Sequence, residues 1–120
     1  WQIEKMGQWV KGKSHDSFGP IGPYLVSKDE IKDINNLNMK LDLNGARMQT
    51  GNTKTMIFNV DHIVSYVSRF MSLQAGDIIT TGTPPGVGMG RIPQKFLKAG
   101  DEIRLSIEFL GEQNSKAVAI

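Results

Sequence analysis

Met39-Lys40-Leu41-Asp42-Leu43-Asn44-Gly45-Ala46-Arg47-Met48-Gln49-Thr50 decides the fold class of this chain. Met39, Leu41 and Leu43 alternate with polar residues, the period-2 pattern of a strand that turns one face to a core. Asn44-Gly45 supplies two residues that tolerate positive φ, as a two-residue hairpin turn demands, and Arg47 to Thr50 return alongside. The stretch predicts a β-hairpin.

Toward the C-terminus, Ile103, Leu105, Ile107 and Phe109 alternate with charged or polar residues and predict another strand. Gly111 to Asn114 are expected to turn the chain, and Ser115 to Ile120 to form the last strand. Leu73-Gln74-Ala75-Gly76-Asp77-Ile78 is echoed by Leu97-Lys98-Ala99-Gly100-Asp101-Glu102-Ile103, so one kind of turn into a strand is expected twice. Two copies do not make a repeat array. Helices are few. Ser27-Lys28-Asp29-Glu30 is a capping box, with Ser27 serving the Glu30 amide and Glu30 reaching back, and predicts a short helix to about Asp33. Asn59 caps a second helix, about 60–71, with an apolar stripe of Ile63, Val64, Val67, Phe70 and Met71. Residues 1–10 fit no single element, and the Gly/Pro-rich run His15 to Pro23 is a loop or extended segment. The expected fold is β-rich α+β with two helices, about 27–33 and 60–71, in one domain spanning 1–120 without a dividing linker.

Between the longer helix and the last strands lies Gly76-Asp77-Ile78-Ile79-Thr80-Thr81-Gly82-Thr83-Pro84-Pro85-Gly86-Val87-Gly88. Ile78 and Ile79 favour a strand, Gly82 permits close approach or unusual backbone angles, and Pro84-Pro85 remove two backbone donors and forbid a following helix. Thr83 therefore stands where a ligand could meet it; a tight surface turn is the alternative.

Composition bounds the function. The chain has 120 residues, 39% of them apolar, enough for a modest core. No apolar run approaches the roughly 20 residues that cross a bilayer, so no membrane partner is expected. Fourteen Lys and Arg against twelve Asp and Glu leave a net charge of +2, too small an excess for a nucleic-acid face. The absence of cysteine excludes disulfides and thiolate metal sites and fits a reducing, cytoplasmic compartment. The chain opens on Trp1 with no signal-peptide pattern and reads as a piece of something longer.

Several motifs fail on context. Gly7-Gln8-Trp9-Val10-Lys11-Gly12-Lys13-Ser14 matches the phosphate-loop pattern, yet the following Gly19, Pro20, Gly22 and Pro23 oppose the helix that must begin at Gly-Lys-Ser. Gly86-Val87-Gly88-Met89-Gly90 is followed by Pro93, which likewise opposes a dinucleotide-binding helix. Ser14-His15-Asp16 are adjacent, and neighbours in extended chain cannot align as nucleophile, base and orienter. His62, in the first turn of the longer helix, suits a surface or capping role better than a ligand role. The acidic residues show no pair at metal-ligand spacing on one predicted face. Lys13 differs, because flanking Gly12 and Ser14 and a rigid following loop confine it more than a surface lysine; a solvated side chain is the alternative.

Taken together, Gly12-Lys13-Ser14-His15-Asp16-Ser17-Phe18-Gly19-Pro20-Ile21-Gly22-Pro23, Asn44-Gly45 with Gln49, Asn52-Thr53, Met56-Ile57-Phe58 and Gly76-Asp77 through Gly88 resemble the C-terminal catalytic domain of the fumarylacetoacetate hydrolase family. The resemblance implies a mixed β-sandwich roll, a homodimer, and Mg2+ or Mn2+ acting on 2-oxo acids that carry a second carbonyl. It also implies roles for residues here: Lys13 as the active-site lysine, Gln2 as the oxyanion-side glutamine, and Gly82 with Thr83 as the loop gripping the substrate carboxylate or oxyanion. The family's metal-binding carboxylates and its water-activating His/Glu pair precede this region. For this chain alone the expectation is therefore no metal ligands and no turnover. The parent is expected to cleave a carbon–carbon bond of 2,4-dioxo acids or acylpyruvates through a metal-stabilised enolate. His15-Asp16-Ser17-Phe18-Gly19-Pro20 resembles members acting on sugar-derived diketo acids. Isomerase, decarboxylase and ureidoglycolate lyase outcomes stay open within the family. Outside it, the rival is a non-catalytic dimerisation module using a Met56-Ile57-Phe58 strand and the Ile63 to Met71 face.

Overall fold

The computed structural model describes residues 2–4 and 6–119; Trp1, Lys5 and Ile120 lie outside the described residues. Its centre is the predicted hairpin. Strand β1 (Asn38–Leu43) and strand β2 (Ala46–Asn52) are antiparallel, joined by Asn44 (φ 51) and Gly45 (φ 78), the two positive φ values that match the twist of the flanking strands. β3 (Glu102–Ile107) pairs with the other edge of β1, and β4 (Gly111–Lys116) pairs with β3, giving one antiparallel sheet in the order β2-β1-β3-β4.

Register sorts the side chains by face. Met39, Leu41 and Leu43 stand opposite Ile107, Leu105 and Ile103, which gathers the apolar residues of both strands on one side. The other side carries Lys40, Asp42, Arg104 and Glu112, with ion pairs Arg47–Asp42 and Arg104–Glu112 (2.7 Å). The Arg47 guanidinium holds the Asp42 carboxyl below the usual carboxylate range, and Arg104 does the same for Glu112. Leu43 and Leu37 are the deepest apolar side chains among the described residues, at 3% and 5% exposure.

The hairpin is not regular. Leu41 pairs with Gln49 and Asp42 with Arg47, so Met48 opposes no residue of β1. This bulge reverses the alternation along β2. Arg47 joins Asp42 on the charged face, while Gln49, only two residues on, lies opposite Leu41 on the apolar one.

Elsewhere the structure adjusts the expected elements. The capping box at Ser27 forms, but it opens a single 3-10 turn, Lys28–Glu30, because Ile31 is already extended. Helix α1 (Trp9–Lys13) was not expected, and α2 runs Val60–Val67, capped by the Asn59 side chain accepting from the His62 amide. Beyond Val67 the amides of Arg69 and Phe70 bond three residues back, so the chain tightens into turns and leaves Phe70 and Met71 exposed. Ile63 and Val67 are the half-buried part of the expected stripe. Met56-Ile57-Phe58 is not a strand; it follows the 3-10 turn Thr53–Thr55.

Gly111 to Asn114 are strand, not turn: the reversal occurs at Glu108 to Leu110, where Phe109 takes φ 65 and Glu108 is tied back to Asn38. The last strand accordingly ends at Lys116. The two echoed segments adopt the same turn. Gly76 (φ 97) and Gly100 (φ 93) precede aspartates whose carboxylates accept from the amides of Gln74 (2.7 Å) and Lys98 (2.8 Å). Only the second copy enters a strand; Ile78 and Ile79 run without ladder partners among the described residues.

Candidate functional site

The Gly/Pro loop after Thr81 is fastened to β2 by two side chains. At its start, Gln49 Nε2 donates to Thr83 Oγ1 at 3.0 Å and to the Pro84 carbonyl at 2.7 Å. Further along, Arg91 Nη2 donates to the Met48 carbonyl at 2.6 Å, and Nε to the Gly86 carbonyl at 3.2 Å. The second link lies at the bulge, where Met48 opposes no residue of β1 and its carbonyl accepts from Arg91. Gln49, at 9% exposure, is the buried polar side chain among the described residues, and its site costs little because both its N–H donors are engaged.

Two glycines let the loop come this close. Gly86 has φ 109, and a Cβ there would collide with the Met48 carbonyl oxygen. A Cβ at Gly51 would lie 2.7 Å from Pro84 Cβ. Gly82, with φ 95, meets nothing within 4 Å, so its backbone is open on the side where a Cβ would stand. Gly82, Thr83 and Pro84 border a cavity of about 240 Å3 whose other walls include Met39, Leu41, Leu105 and Ile107.

The second predicted pair sits on the N-terminal segment. Lys13 closes α1 and is exposed, and the Gln2 side chain packs directly over Gly12, the residue before Lys13. Gly12 is required there, because a Cβ would overlap Gln2 Cγ. The structure thus brings Gln2 over Gly12, the residue before Lys13, and Thr83 beside Gln49. Among the described residues no hydrogen bond joins Lys13 or Gln2 to the Gly82–Thr83 loop. The segment between them meets the sheet at the β3–β4 reversal, where Gln113 Nε2 donates to the Gly22 carbonyl (3.4 Å) and Tyr24 lies over Gly111.

The discarded motifs are explained by the same geometry. A phosphate loop needs a helix beginning at Gly12-Lys13-Ser14, whereas α1 ends there with Ser14 as its C-cap. His15 packs its ring against Phe18 at 5.1 Å. His62 has a surface role, stacked between Phe58 (4.7 Å) and Tyr66 (6.4 Å) on α2. Among the described residues no three His, Cys, Asp or Glu side chains form a group able to hold a metal ion, so these residues do not fit a metal centre. No helix among them is long and apolar enough to cross a membrane.

Arg91 was not visible as a site residue, and Gln49 was visible only as part of a motif. A signal for Gln49 exists once the bulge is known: a polar side chain in apolar register must have partners. Arg91 gives no such signal, because its acceptors are backbone carbonyls distant in sequence.

Residues 1–118 match the model of the fumarylacetoacetate (FAA) hydrolase C-terminal family, and the chain belongs to that family. A relative from Burkholderia cenocepacia, provisionally named a hydrolase, is 60% identical over 114 residues, 94% of this chain and 40% of its own length. The chain thus spans about 40% of the length of the curated relatives it matches. Among solved structures, the fumarylacetoacetate hydrolase of psychrophilic Exiguobacterium antarcticum superposes with a TM-score of 0.88 at 43% identity, over 92% of this chain and 39% of that one. A maleylpyruvate hydrolase from Sphingobium sp. SYK-6, in complex with manganese(II) and pyruvate, gives 0.79 at 36% identity, over 87% and 37%. A 5-carboxymethyl-2-hydroxymuconate delta-isomerase from Mycobacterium smegmatis gives 0.84 at 32% identity, over 98% and 43%. The four-stranded antiparallel sheet with its two helices is the fold of the family's C-terminal domain.

Proposed function

We propose that the whole protein hydrolyses a carbon–carbon bond in small 2,4-dioxo acids or acylpyruvates. The observation that carries this is the fastened loop: Thr83 and Pro84 are held by Gln49, and Gly86 by Arg91, against the sheet, beside a cavity of about 240 Å3. Water adds to the carbonyl remote from the carboxylate. The bond from that carbon to the neighbouring methylene breaks, its electron pair passes into the 2-oxo group as an enolate, and protonation on carbon releases a 2-oxo acid and a carboxylic acid. In this scheme the Gly82 amide and Thr83 hydroxyl bind the substrate carboxylate, the Lys13 ammonium donates to the oxygen that gains enolate charge, and the Gln2 amide serves the oxyanion formed by the attacking water.

A divalent ion, Mg2+ or Mn2+, belongs to the proposal as a requirement of the whole protein; the manganese and pyruvate of the maleylpyruvate hydrolase structure support it. A homodimer without nucleic-acid or membrane partners, working in the cytoplasm, completes it.

The test is hydrolysis of acylpyruvates by the full-length protein. Lys13→Ala is expected to lower kcat by about 10²- to 10³-fold, the typical effect of deleting one donor to a developing oxyanion. Unchanged rates would remove Lys13 from the mechanism and favour a non-catalytic dimerisation module. Two isomerases among the structural relatives support a second reading within the family. Product mass separates the two, since hydrolysis incorporates a water and isomerisation does not.

A further inference from the structure

Gln49 does more than fasten a loop. The Pro84 carbonyl can only accept, so the Gln49 atom 2.7 Å from it must be the amide nitrogen, which fixes the orientation of the whole amide. The second N–H of that nitrogen points to Thr83 Oγ1 at 3.0 Å. Thr83 is therefore an acceptor toward Gln49, and its own proton must go elsewhere. Among the described residues the acceptor in range is the Pro84 carbonyl, at 3.5 Å, the limit of a hydrogen bond, so that contact holds the proton only weakly.

We propose that Gln49 is a positioning residue that sets the polarity of Thr83. By occupying an acceptor lone pair of the hydroxyl, it leaves the Thr83 proton to be donated into the adjoining cavity, to an anionic oxygen of the substrate. The inference rests on the proposed function, in which Thr83 meets a 2-oxo acid. A buried glutamine suits this role because it donates twice without charge, whereas a carboxylate at the same place would take the Thr83 proton for itself.

The experiment is a double-mutant cycle on the full-length protein, with pyruvate as the binding probe in calorimetry and an acylpyruvate for KM and kcat. Thr83→Val and Gln49→Leu are each expected to weaken pyruvate binding by about 10- to 100-fold, the loss of one hydrogen bond to a charged group. Added to Thr83→Val, Gln49→Leu should cost under about 2-fold more, because there is no hydroxyl left to orient. A purely structural role predicts the opposite, since the Pro84 link is lost in either background and the penalties would then multiply. Gln49→Glu keeps the side-chain length but replaces both donors by acceptors and should weaken binding at least as much as Gln49→Leu; circular dichroism of each variant guards against misfolding. KM should carry the change, with kcat moving less. Multiplicative penalties, or Gln49 variants that bind normally while Thr83→Val does not, overturn the proposal alone. A wild-type protein that ignores pyruvate, or a Thr83→Val variant that binds it normally, overturns the reading of the site and the proposal with it.

Discussion

Replacing Gly86 by alanine separates two costs that are usually confounded. Gly86 and Gly45 both have positive φ, 109 and 78, so alanine at either pays for a backbone conformation that a Cβ disfavours, about 1–2 kcal/mol. Gly45 has nothing within 4 Å of a notional Cβ, and that cost is all Gly45→Ala should show. At Gly86 the Cβ would run into the Met48 carbonyl, which the Arg91 guanidinium holds at 2.6 Å and which cannot swing aside. The loop must lift, breaking the Arg91 bonds to Met48 and Gly86; hydrogen bonds to a charged group contribute about 1.5–3 kcal/mol each. Partial relaxation leaves an excess of about 2–4 kcal/mol over Gly45→Ala. Urea unfolding of the two variants, compared at equal m, measures that excess directly. Penalties within about 0.5 kcal/mol of each other would refute the argument that Arg91 and the bulge carbonyl fix the loop.

Leu43→Ala should destabilise the protein by about 2–3 kcal/mol, near the lower end for a buried leucine, because the site adjoins a cavity of about 240 Å3 and is not closed on every side; a urea midpoint unchanged from wild type would contradict Leu43 as core. Asp101→Asn should flatten the acid limb of stability. The Asn44 side-chain amide, then the Lys98 backbone amide, hold the Asp101 carboxyl below its ordinary value near about 3.9, so its contribution is complete above that pH and disappears as pH falls through the lower folded value. Urea midpoints from about pH 5 down to about 2 should fall less steeply in the variant, and parallel curves would rule Asp101 out.

Strand periodicity was legible because it is a local property. Met39, Leu41 and Leu43 alternate, Ile103, Leu105 and Ile107 alternate, and Asn44-Gly45 admits the positive φ values the turn needs. The Asn59 cap and the Ser27 box were legible for the same reason, since each acts within four residues. Element ends were not. Phe109 interrupts its strand because Glu108 is held by Asn38 across the sheet, and Phe70 and Met71 leave the apolar stripe because α2 tightens after Val67. Lys13, Gln2, Gly82 and Thr83 were nameable as candidates through the resemblance of the motifs that carry them, while Arg91 was not.

The sequence by itself determined the β-hairpin, the face each strand residue would occupy if pairing were regular, and the loop that carries Thr83, because alternation, turn chemistry and proline are properties of neighbouring residues. Only the tertiary structure decided that Met48 bulges, that Arg47 and Gln49 part to opposite faces, and that Gln49 and Arg91 reach across 34 and 43 residues to hold the loop. Those contacts join atoms whose separation along the chain encodes nothing about their distance in space, and backbone carbonyls such as Met48 and Pro84 leave no mark in a sequence of side chains.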